Sequence, residues 1–243
     1  MSDWVKRGQP AALAYEAAGL SWLAVAGGPR IPAVVALDGD RLVTERVEVG
    51  PWSTAADEDL GRRLAAMHRA GAPAFGWDEQ PDGFIGPLPQ SNEPMEDWPT
   101  FYVERRALPF ARAAVDGGGL SSRGAADVER ACARLTDLAG PAEPPARIHG
   151  DLWRGNVLAD GAGDAWVIDP AAHGGHRETD LAMMRLFGGF GEACFAAYDE
   201  VHPLADGWPE RIGLHQLHPL LVHAVLFGAS YGARAAEIAC RYA

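Results

Sequence analysis

The first fifty residues alternate between short apolar runs and turn residues, which predicts a small sheet with one helix. Asp-Gly in Asp38-Gly39-Asp40, between two apolar runs, is typical of a β-hairpin turn. Val49-Gly50-Pro51 interrupts the pattern, and we expect a hinge at residues 46–51. The predicted elements are a strand over residues 2–7, a helix over Gln9–Ala26, and strands over Ala33–Leu37 and Arg41–Val47.

Helical spacing of apolar residues dominates the rest of the chain. Residues 71–97 are rich in Gly, Pro, Asp and Asn, and they are predicted to form a long, partly ordered loop. Short strands are expected at Ala146–His149 and Ala165–Ile168. The outline is therefore α+β, with a small β-rich part over residues 1–48 and a mainly helical part over 49–243. Helices are predicted at Ala56–Ala70, Trp98–Ala114, Ala125–Ala139, 178–188, 190–200 and 209–240.

Composition narrows the class of protein without revealing its chemistry. The 243 residues are 48% hydrophobic and 22% charged, which is ordinary for a soluble globular protein. A net charge of −12 argues against a nucleic-acid partner, because phosphates would be repelled. Cys132, Cys194 and Cys240 are too widely spaced for a metal knuckle and odd in number. There is no secretory signal and no apolar run of the ~20 residues that span a bilayer, so we expect a cytoplasmic protein without a membrane partner.

Two short segments contain a set of residues suited to phosphoryl transfer. Asp151 and Asn156 lie five positions apart after an apolar stub, and Asp169 ends the predicted strand at 165–168. Transfer from ATP needs one carboxylate that orients and deprotonates the attacking hydroxyl. It also needs an amide oxygen and a second carboxylate that hold the magnesium ions on the phosphates. We therefore predict Asp151 as the base, with Asn156 and Asp169 as ligands of Mg²⁺ or Mn²⁺.

The histidines nearby allow a second interpretation of the same segments. His149, His173 and His176 could form a transition-metal cluster with the aspartates, but no pair has the HxxxH spacing of a hydrolytic zinc site. His149 is instead expected to hydrogen-bond backbone and shape the catalytic loop. Asp180 opens a predicted helix, where it either anchors that loop or caps the helix.

Lys6 is the only lysine of the chain, which makes it a candidate for work that arginine cannot do. Kinases use a Lys–Glu ion pair to hold the lysine against the α- and β-phosphates, and Glu16 in the first helix is the predicted partner. Glu45 and Val47, at the end of the second hairpin strand, are then expected to meet the adenine edge through their backbone.

Four segments together resemble the fructosamine kinase (ketosamine-3-kinase) family, an aminoglycoside-phosphotransferase-like branch of the protein-kinase-like fold. The resemblance runs from Val5 to about residue 231. The HGDxxxxN pattern alone is shared with choline, homoserine and aminoglycoside kinases, whereas the other segments are more specific. The segments are HGDLWRGN (149–156), VIDPAAHGGHRETDLAMMRLFGG (167–189), FIGPLPQSN (84–92) and WPTFYVERR (98–106).

The resemblance implies a bilobal kinase that phosphorylates the 3-hydroxyl of a ketosamine, either a small molecule or a glycated protein amine. It implies the same roles for Asp151, Asn156, Asp169, Lys6 and Glu16. It also implies that Gln90, Asn92 and Trp153 lie near the acceptor, where polar groups and an aromatic face suit a polyhydroxylated molecule.

One feature departs from the family pattern. The family has two strands and a glycine-rich loop before the lysine, and only five residues precede Lys6 here. We expect either a late start codon or a shortened N-lobe with an uncovered sheet edge, which favours a homodimer. Two alternatives stay open: a non-catalytic relative that binds a sugar-amine or a protein, and a phosphotransferase for another small alcohol, of the aminoglycoside or choline kind.

Overall fold

The computed structural model describes residues 3–243, and its N-terminal part is a three-stranded antiparallel sheet. The sheet contains β1 (Asp3–Arg7), β2 (Val34–Asp38) and β3 (Arg41–Glu45) in the order β1-β3-β2. Helix α1 (Pro10–Leu23) begins with a proline, whose fixed φ suits a first turn, and packs against the sheet through a small apolar cluster. The predicted hairpin and helix of this region are therefore confirmed.

Helix α2 (Thr54–Arg69) follows an extended segment that connects the sheet to the rest of the molecule. Its first turn is capped by the Ser53 hydroxyl, which accepts a hydrogen bond from the Ala56 amide at 3.3 Å. Leu60 and Leu64 of α2 are fully buried. They join Leu23 of α1 in the main hydrophobic core, so α1 contacts both lobes.

Residues 71–97, predicted as a loop, contain a β-hairpin. Strands β4 (Asp82–Ile85) and β5 (Leu88–Ser91) pair antiparallel through a two-residue turn, Gly86-Pro87. Gly86 has φ of 54°, a conformation that glycine adopts without strain. Pro89 is tolerated in β5 because the hairpin is only two strands wide, so that its missing N–H faces no further strand.

The remaining helices form most of the C-terminal part. The predicted helix at 98–114 contains a π-helical turn over Val103–Ala107, and the predicted helix at 209–240 is broken at Gly228, whose φ is 93°. None of the described helices combines the length and apolar character needed to span a bilayer. The helices are α3 (Trp98–Tyr102), α4 (Leu108–Asp116), α5 (Ser122–Ala133), α6 (Leu135–Leu138), α7 (Glu178–Phe187), α8 (Glu192–Val201), α9 (Trp208–Phe227) and α10 (Ala229–Tyr242).

Two short β-ribbons hold the loops that contain the predicted catalytic residues. The strands predicted before His149 and before Asp169 are present, and each has an antiparallel partner that the sequence did not reveal. The strands are β6 (Ala146–Ile148), paired with β9 (His173–Gly175), and β7 (Val157–Ala159), paired with β8 (Ala165–Val167).

Candidate active site

The loop between β6 and β7 turns sharply at Gly150 and presents Asp151 to a cleft between the two parts of the molecule. Gly150 has φ of 80°, and a Cβ atom there would lie 2.3 Å from the Ala171 carbonyl oxygen. Only glycine fits this close approach. The glycine of the HGD segment therefore brings the catalytic loop against the chain that follows Asp169.

Asp180 fixes this loop from helix α7. Its carboxylate accepts hydrogen bonds from the backbone amides of His149 at 2.7 Å and Gly150 at 2.9 Å, and from His68 Nε2 at 3.1 Å. The side chain is fully buried. Burial alone would raise the pKa of Asp180, but these donors and the neighbouring histidines lower it below its usual value. Of the two roles considered from the sequence, the structure shows the loop anchor.

His149 joins the catalytic loop to the strand that leads to Asp169. Its Nε2 donates to the Ile168 carbonyl oxygen at 2.8 Å, and its Nδ1 accepts from the Asp151 amide at 3.3 Å. Burial lowers the pKa of His149, so the ring is neutral and makes one donor and one acceptor contact. The predicted role of His149 in shaping the loop is confirmed.

Asp151 and Asn156 face each other across the loop. Asn156 Nδ2 donates to Asp151 Oδ2 at 3.1 Å and to the Asp151 carbonyl oxygen at 2.9 Å. Because both bonds use the nitrogen, the Asn156 Oδ1 oxygen remains for a cation, as magnesium binding requires. Burial, together with the charges of Asp169 and Asp180, raises the pKa of Asp151 to about 7, against the hydrogen bond from Asn156. This value suits a general base at neutral pH.

Asp169 lies in left-handed backbone, with φ of 53°, directly after the chain leaves β8. A non-glycine residue with positive φ is strained, and such strain concentrates at functional sites. Asp169 Oδ1 lies 3.1 Å from Lys6 Nζ, which also donates to Glu16 Oε2 at 2.7 Å. Strand β1 and helix α1 thus place the predicted ion pair beside the predicted metal ligand.

The three charges share one partly buried environment. Burial alone would lower the pKa of Lys6, but the hydrogen bond and charge of Glu16 and the charge of Asp169 raise it. Burial raises the pKa of Glu16, and Lys6 opposes that shift. Lys6 is therefore a fixed cation at neutral pH, at the point where Glu16 and Asp169 meet.

Two adjoining cavities form the cleft. One, of about 270 Å³, is lined by the hinge residues Glu45 and Val47 and by apolar side chains of both lobes. The other, of about 410 Å³, is lined by Asp151 and Asn156. Lys6, Glu16 and Asp169 line both cavities, so the cation and the candidate metal ligand stand at their junction.

Trp153 lines the larger cavity, where its side chain is 43% exposed. Gln90 and Asn92, which we expect near the acceptor, line neither cavity: Gln90 is 5% exposed and Asn92 is fully buried. The Asn92 side chain bonds within the protein, from Nδ2 to Tyr15 Oη at 3.0 Å and to the Gln80 carbonyl oxygen at 3.2 Å. The turn of their hairpin lines the cavity instead.

Several cleft residues are absent from the sequence-based prediction. Trp4, two positions before Lys6 on β1, lines the smaller cavity, and the two-residue period of a strand could have indicated it. The larger cavity is also lined by Tyr15 of α1 and by Phe84, Gly86 and Pro87 of the hairpin. A loop prediction for residues 71–97 could not place the hairpin residues.

Among the described residues, no group with metal-binding geometry combines histidines with Asp151 or Asp169. In the described part of the chain, the group with metal-binding geometry is His176, Glu178 and His215, all buried and outside both cavities. Arg211 donates to both Glu178 carboxylate oxygens, at 2.9 and 2.5 Å. A guanidinium so close to the carboxylate opposes the binding of a second cation.

Comparison with known proteins gives a match to the family model described as fructosamine kinase, over residues 5–242. A protein of Enterococcus faecium assigned as a ketoamine kinase is 35% identical over 83% of this chain and 71% of its own. The chloroplastic protein-ribulosamine 3-kinase of Arabidopsis thaliana is 33% identical over 82% of this chain and 61% of its own.

Solved structures of related proteins also have the fold of this chain. A crystal structure assigned as a fructosamine-3-kinase from Thermobifida fusca has a TM-score of 0.92 and 49% identity, and the match covers 98% of this chain and 85% of that one. The aminoglycoside phosphotransferase APH(4)-Ia has a TM-score of 0.61 at 19% identity, over 96% of this chain and 82% of that one, and shows the fold alone. The α+β, protein-kinase-like fold predicted from the sequence is thereby confirmed.

Proposed function

The chain belongs to the fructosamine kinase family, and we propose that it transfers the γ-phosphoryl group of ATP to the 3-hydroxyl of a ketosamine. The family and its ribulosamine 3-kinase relatives identify a kinase that acts on ketosamines. The observation that supports the residue roles is the junction of the two cavities, which Lys6, Glu16 and Asp169 share. A donor in one cavity and an acceptor in the other would meet there.

We assign the smaller cavity to ATP. Glu45 and Val47 line it, and in the described residues no backbone hydrogen bond within the protein engages Val47. Val47 can therefore bond the adenine edge. Lys6, held by Glu16, reaches the phosphates. Asp169 and the Asn156 Oδ1 oxygen would hold Mg²⁺ or Mn²⁺, which neutralises phosphate charge when bound.

The larger cavity is assigned to the acceptor. Asp151 accepts the proton of the attacking hydroxyl as that oxygen forms its bond to the γ-phosphorus, while the bond from this phosphorus to the bridging oxygen breaks and ADP leaves. Its raised pKa gives Asp151 the basicity to do so. Trp153 offers an aromatic face to the sugar carbons. Little covalent chemistry is required beyond this proton transfer, so the main work of the cleft is in-line positioning and charge neutralisation.

Calorimetric titration tests the donor side. We expect Mg²⁺-dependent binding of ATP to the intact chain and its loss in Asp169→Ala. Asp206→Ala, which removes an exposed aspartate outside both cavities, serves as the matched control and should bind ATP as the intact chain does. Absence of binding to the intact chain would favour the non-catalytic alternative, in which the protein recognises a sugar-amine or a partner without turnover.

A panel of acceptors tests the substrate. ADP formation should depend on fructosyl-lysine or ribulosyl-lysine and should be absent with choline or an aminoglycoside. The aminoglycoside alternative rests on the shared fold with APH(4)-Ia, a variant of which was solved with AMP-PNP and hygromycin B. Turnover of choline or hygromycin B without turnover of a ketosamine would support that alternative. Comparison of free and protein-bound ketosamines would identify the natural form.

A homodimer and a cytoplasmic location are part of the same proposal. Strand β1 lies at one edge of its sheet, and its Trp4 and Val5 side chains are 57% and 43% exposed. An exposed strand edge with apolar side chains favours pairing with another chain. Light scattering coupled to size-exclusion chromatography measures the mass in solution, and a monomer at all concentrations would remove the dimer from the proposal.

A further inference from the structure

A chain of buried hydrogen bonds connects three elements around the larger cavity. Arg106, in the π-helical turn, donates from Nη2 to Asn92 Oδ1 at 2.6 Å, and Asn92 Nδ2 donates to Tyr15 Oη at 3.0 Å. Tyr15 Oη in turn donates to the Ala172 carbonyl oxygen at 2.6 Å. The hairpin end, helix α1 and the segment after Asp169 are thereby joined.

At one end, the chain fixes the base of the β4–β5 hairpin. Arg106 Nη1 donates to the Ser91 carbonyl oxygen at 2.6 Å, and the Asn92 amide donates to the Pro81 carbonyl oxygen at 2.7 Å. Both strands of the hairpin are therefore held at the end away from the turn. The turn itself, with Phe84, Gly86 and Pro87, lines the acceptor cavity.

At the other end, the chain reaches the metal-binding segment. Ala172 lies three residues after Asp169, and the intervening Pro170 and Ala171 line the acceptor cavity. Tyr15 precedes Glu16 on α1 and lines the same cavity. The Tyr15 hydroxyl thus links the β4–β5 hairpin, through Asn92, to the segment that contains Asp169.

The energetic cost of this arrangement indicates a specific role. Arg106 is 2% exposed, and it forms no ion pair with a carboxylate in the described part of the chain. The hydrogen bonds of this buried guanidinium go only to neutral oxygens, and its Nε finds no acceptor among the described residues. Such a group is expensive, and a tight apolar core would be the cheaper solution. The π-helical turn that presents Arg106 is itself rare and is frequent at functional sites.

We propose that Arg106, Asn92 and Tyr15 are positioning residues that hold the acceptor hairpin against the Asp169 segment and so set the acceptor hydroxyl relative to the phosphoryl donor. The assignment of the acceptor cavity rests on the proposed function. The hairpin, which lines only the acceptor cavity, should affect the acceptor more than ATP. A displaced acceptor lowers the fraction of bound molecules in line for reaction.

Two tyrosine-to-phenylalanine variants separate positioning from simple loss of stability. Tyr15→Phe removes the hydroxyl at the centre of the chain. Tyr102→Phe is matched to it, because the buried Tyr102 hydroxyl also donates to one backbone carbonyl, of Leu214 at 2.5 Å, and also accepts one N–H, from His218 at 3.1 Å. Tyr102 lines neither cavity of the cleft.

Steady-state kinetics with a ketosamine provides the first readout. We expect kcat/KM for the ketosamine to fall about tenfold in Tyr15→Phe, from the loss of one or two hydrogen bonds, while KM for ATP stays within about twofold. Tyr102→Phe should change neither constant although its Tm falls comparably. Asn92→Ser, which shortens the link to Tyr15, should shift the ketosamine constants in the same direction. Equal ketosamine constants in the two tyrosine variants would overturn the proposal.

Amide hydrogen exchange provides a second readout that needs no turnover. The amides of the hairpin and of residues 171–172 should exchange faster together in Tyr15→Phe and stay protected in Tyr102→Phe. If the intact chain turns over no ketosamine, the proposed function fails, and the exchange data still decide whether the hairpin and the Asp169 segment are joined. Unchanged exchange of both segments in Tyr15→Phe would overturn the inference.

Discussion

Two sets of acidic residues in this molecule, one in the cleft and one buried in helix α7, have pKa shifts of opposite direction. In the cleft, the pKa of Asp151 is raised to about 7 and that of Glu16 is also raised. In helix α7, where Glu178 and Asp180 are buried, the pKa of Glu178 is held at about 2 and that of Asp180 is also lowered. The chemical groups are the same, and burial alone raises the pKa in both sets, so neighbouring donors and charges make the difference.

The number of hydrogen-bond donors around each carboxylate decides whether its pKa is raised or lowered. Asp180 accepts from two backbone amides and His68, and Glu178 accepts from Arg211 and lies 3.3 Å from His215 Nε2. Asp151 has one side-chain donor, Asn156, and faces the like charges of Asp169 and Asp180. A carboxylate left short of donors stays basic enough to accept a proton, whereas a fully satisfied one is fixed in place. The comparison therefore distinguishes the acid that we propose as the base from the acids that hold the structure.

The largest effect is expected on turnover when Asp151 is replaced. Asp151→Asn removes the base, and kcat should fall by about 10²–10⁴-fold. Because burial disfavours the Asp151 carboxylate, a neutral amide there should leave the free energy of unfolding unchanged or slightly raised. ADP-release assays and urea unfolding measure both quantities, and Asp116→Asn, at an exposed aspartate of α4, is the control. Undiminished turnover would remove Asp151 from its role.

Replacement of Asp180, a buried acid of α7, should lower the stability of the fold first, in contrast to replacement of Asp151. Asp180→Ala leaves the His149 and Gly150 amides without their acceptor, together with His68 Nε2. Breaking such a buried pair costs about 3–5 kcal/mol of unfolding free energy. Urea denaturation followed by tryptophan fluorescence measures this loss. A loss of less than about 1 kcal/mol would show that Asp180 is not the anchor of the loop.

The pH dependence of turnover sharpens the comparison. A base must be deprotonated, so kcat/KM for the ketosamine should fall as pH decreases through about 7, the pKa of Asp151 in the free protein. Saturating Mg²⁺-ATP should move this limb to lower pH, because a nearby cation stabilises the carboxylate. Rate profiles from pH 5.5 to 8.5 test both the fall in kcat/KM and its displacement by Mg²⁺-ATP. A flat profile would contradict the raised pKa.

The smallest effect concerns acid stability. The folded-state pKa of Glu178 is lowered to about 2 from an ordinary value of 4.5, so its contribution to stability is present above about pH 4.5. That contribution is lost as pH falls towards 2. The difference in urea midpoint between the intact chain and Glu178→Gln should be largest at pH 6 and shrink below pH 4.5. A difference that grows on acidification would show that the pKa of Glu178 is raised, not lowered, in the folded protein.

The residues that we propose for catalysis lie together as the sequence predicts, whereas the sequence does not predict most of the cavity walls around them. Asp151 and Asn156 lie within one loop, and Lys6 and Glu16 are ten residues apart, so local spacing suffices to indicate them. The bonds that Tyr15 makes to Asn92 and Ala172 join residues 77 and 157 positions apart. No local pattern encodes such contacts, because they form only when separate elements pack together.

The absence of a local signal also explains where the predicted secondary structure differs from the observed one. Strands β4 and β5 are four residues each and contain Gly83 and Pro89, so their composition is that of a loop. Their pairing depends on the Gly86-Pro87 turn and on the backbone N–H of Asn92, which donates to the Pro81 carbonyl oxygen at the other end of the hairpin. The break at Gly228 was overlooked because the apolar period continues on both sides of it.

Direct observation of the product tests the central claim, that the cleft transfers phosphate to a ketosamine through Asp151. Fructosyl-lysine and Mg²⁺-ATP are incubated with the intact chain or with Asp151→Asn, and phosphorus–proton correlation NMR locates the new phosphate. The account predicts a phosphomonoester on the oxygen of C3 with the intact chain and its absence, over the same time, with the variant. Release of inorganic phosphate alone, or the same ester at the same rate from both proteins, would contradict it.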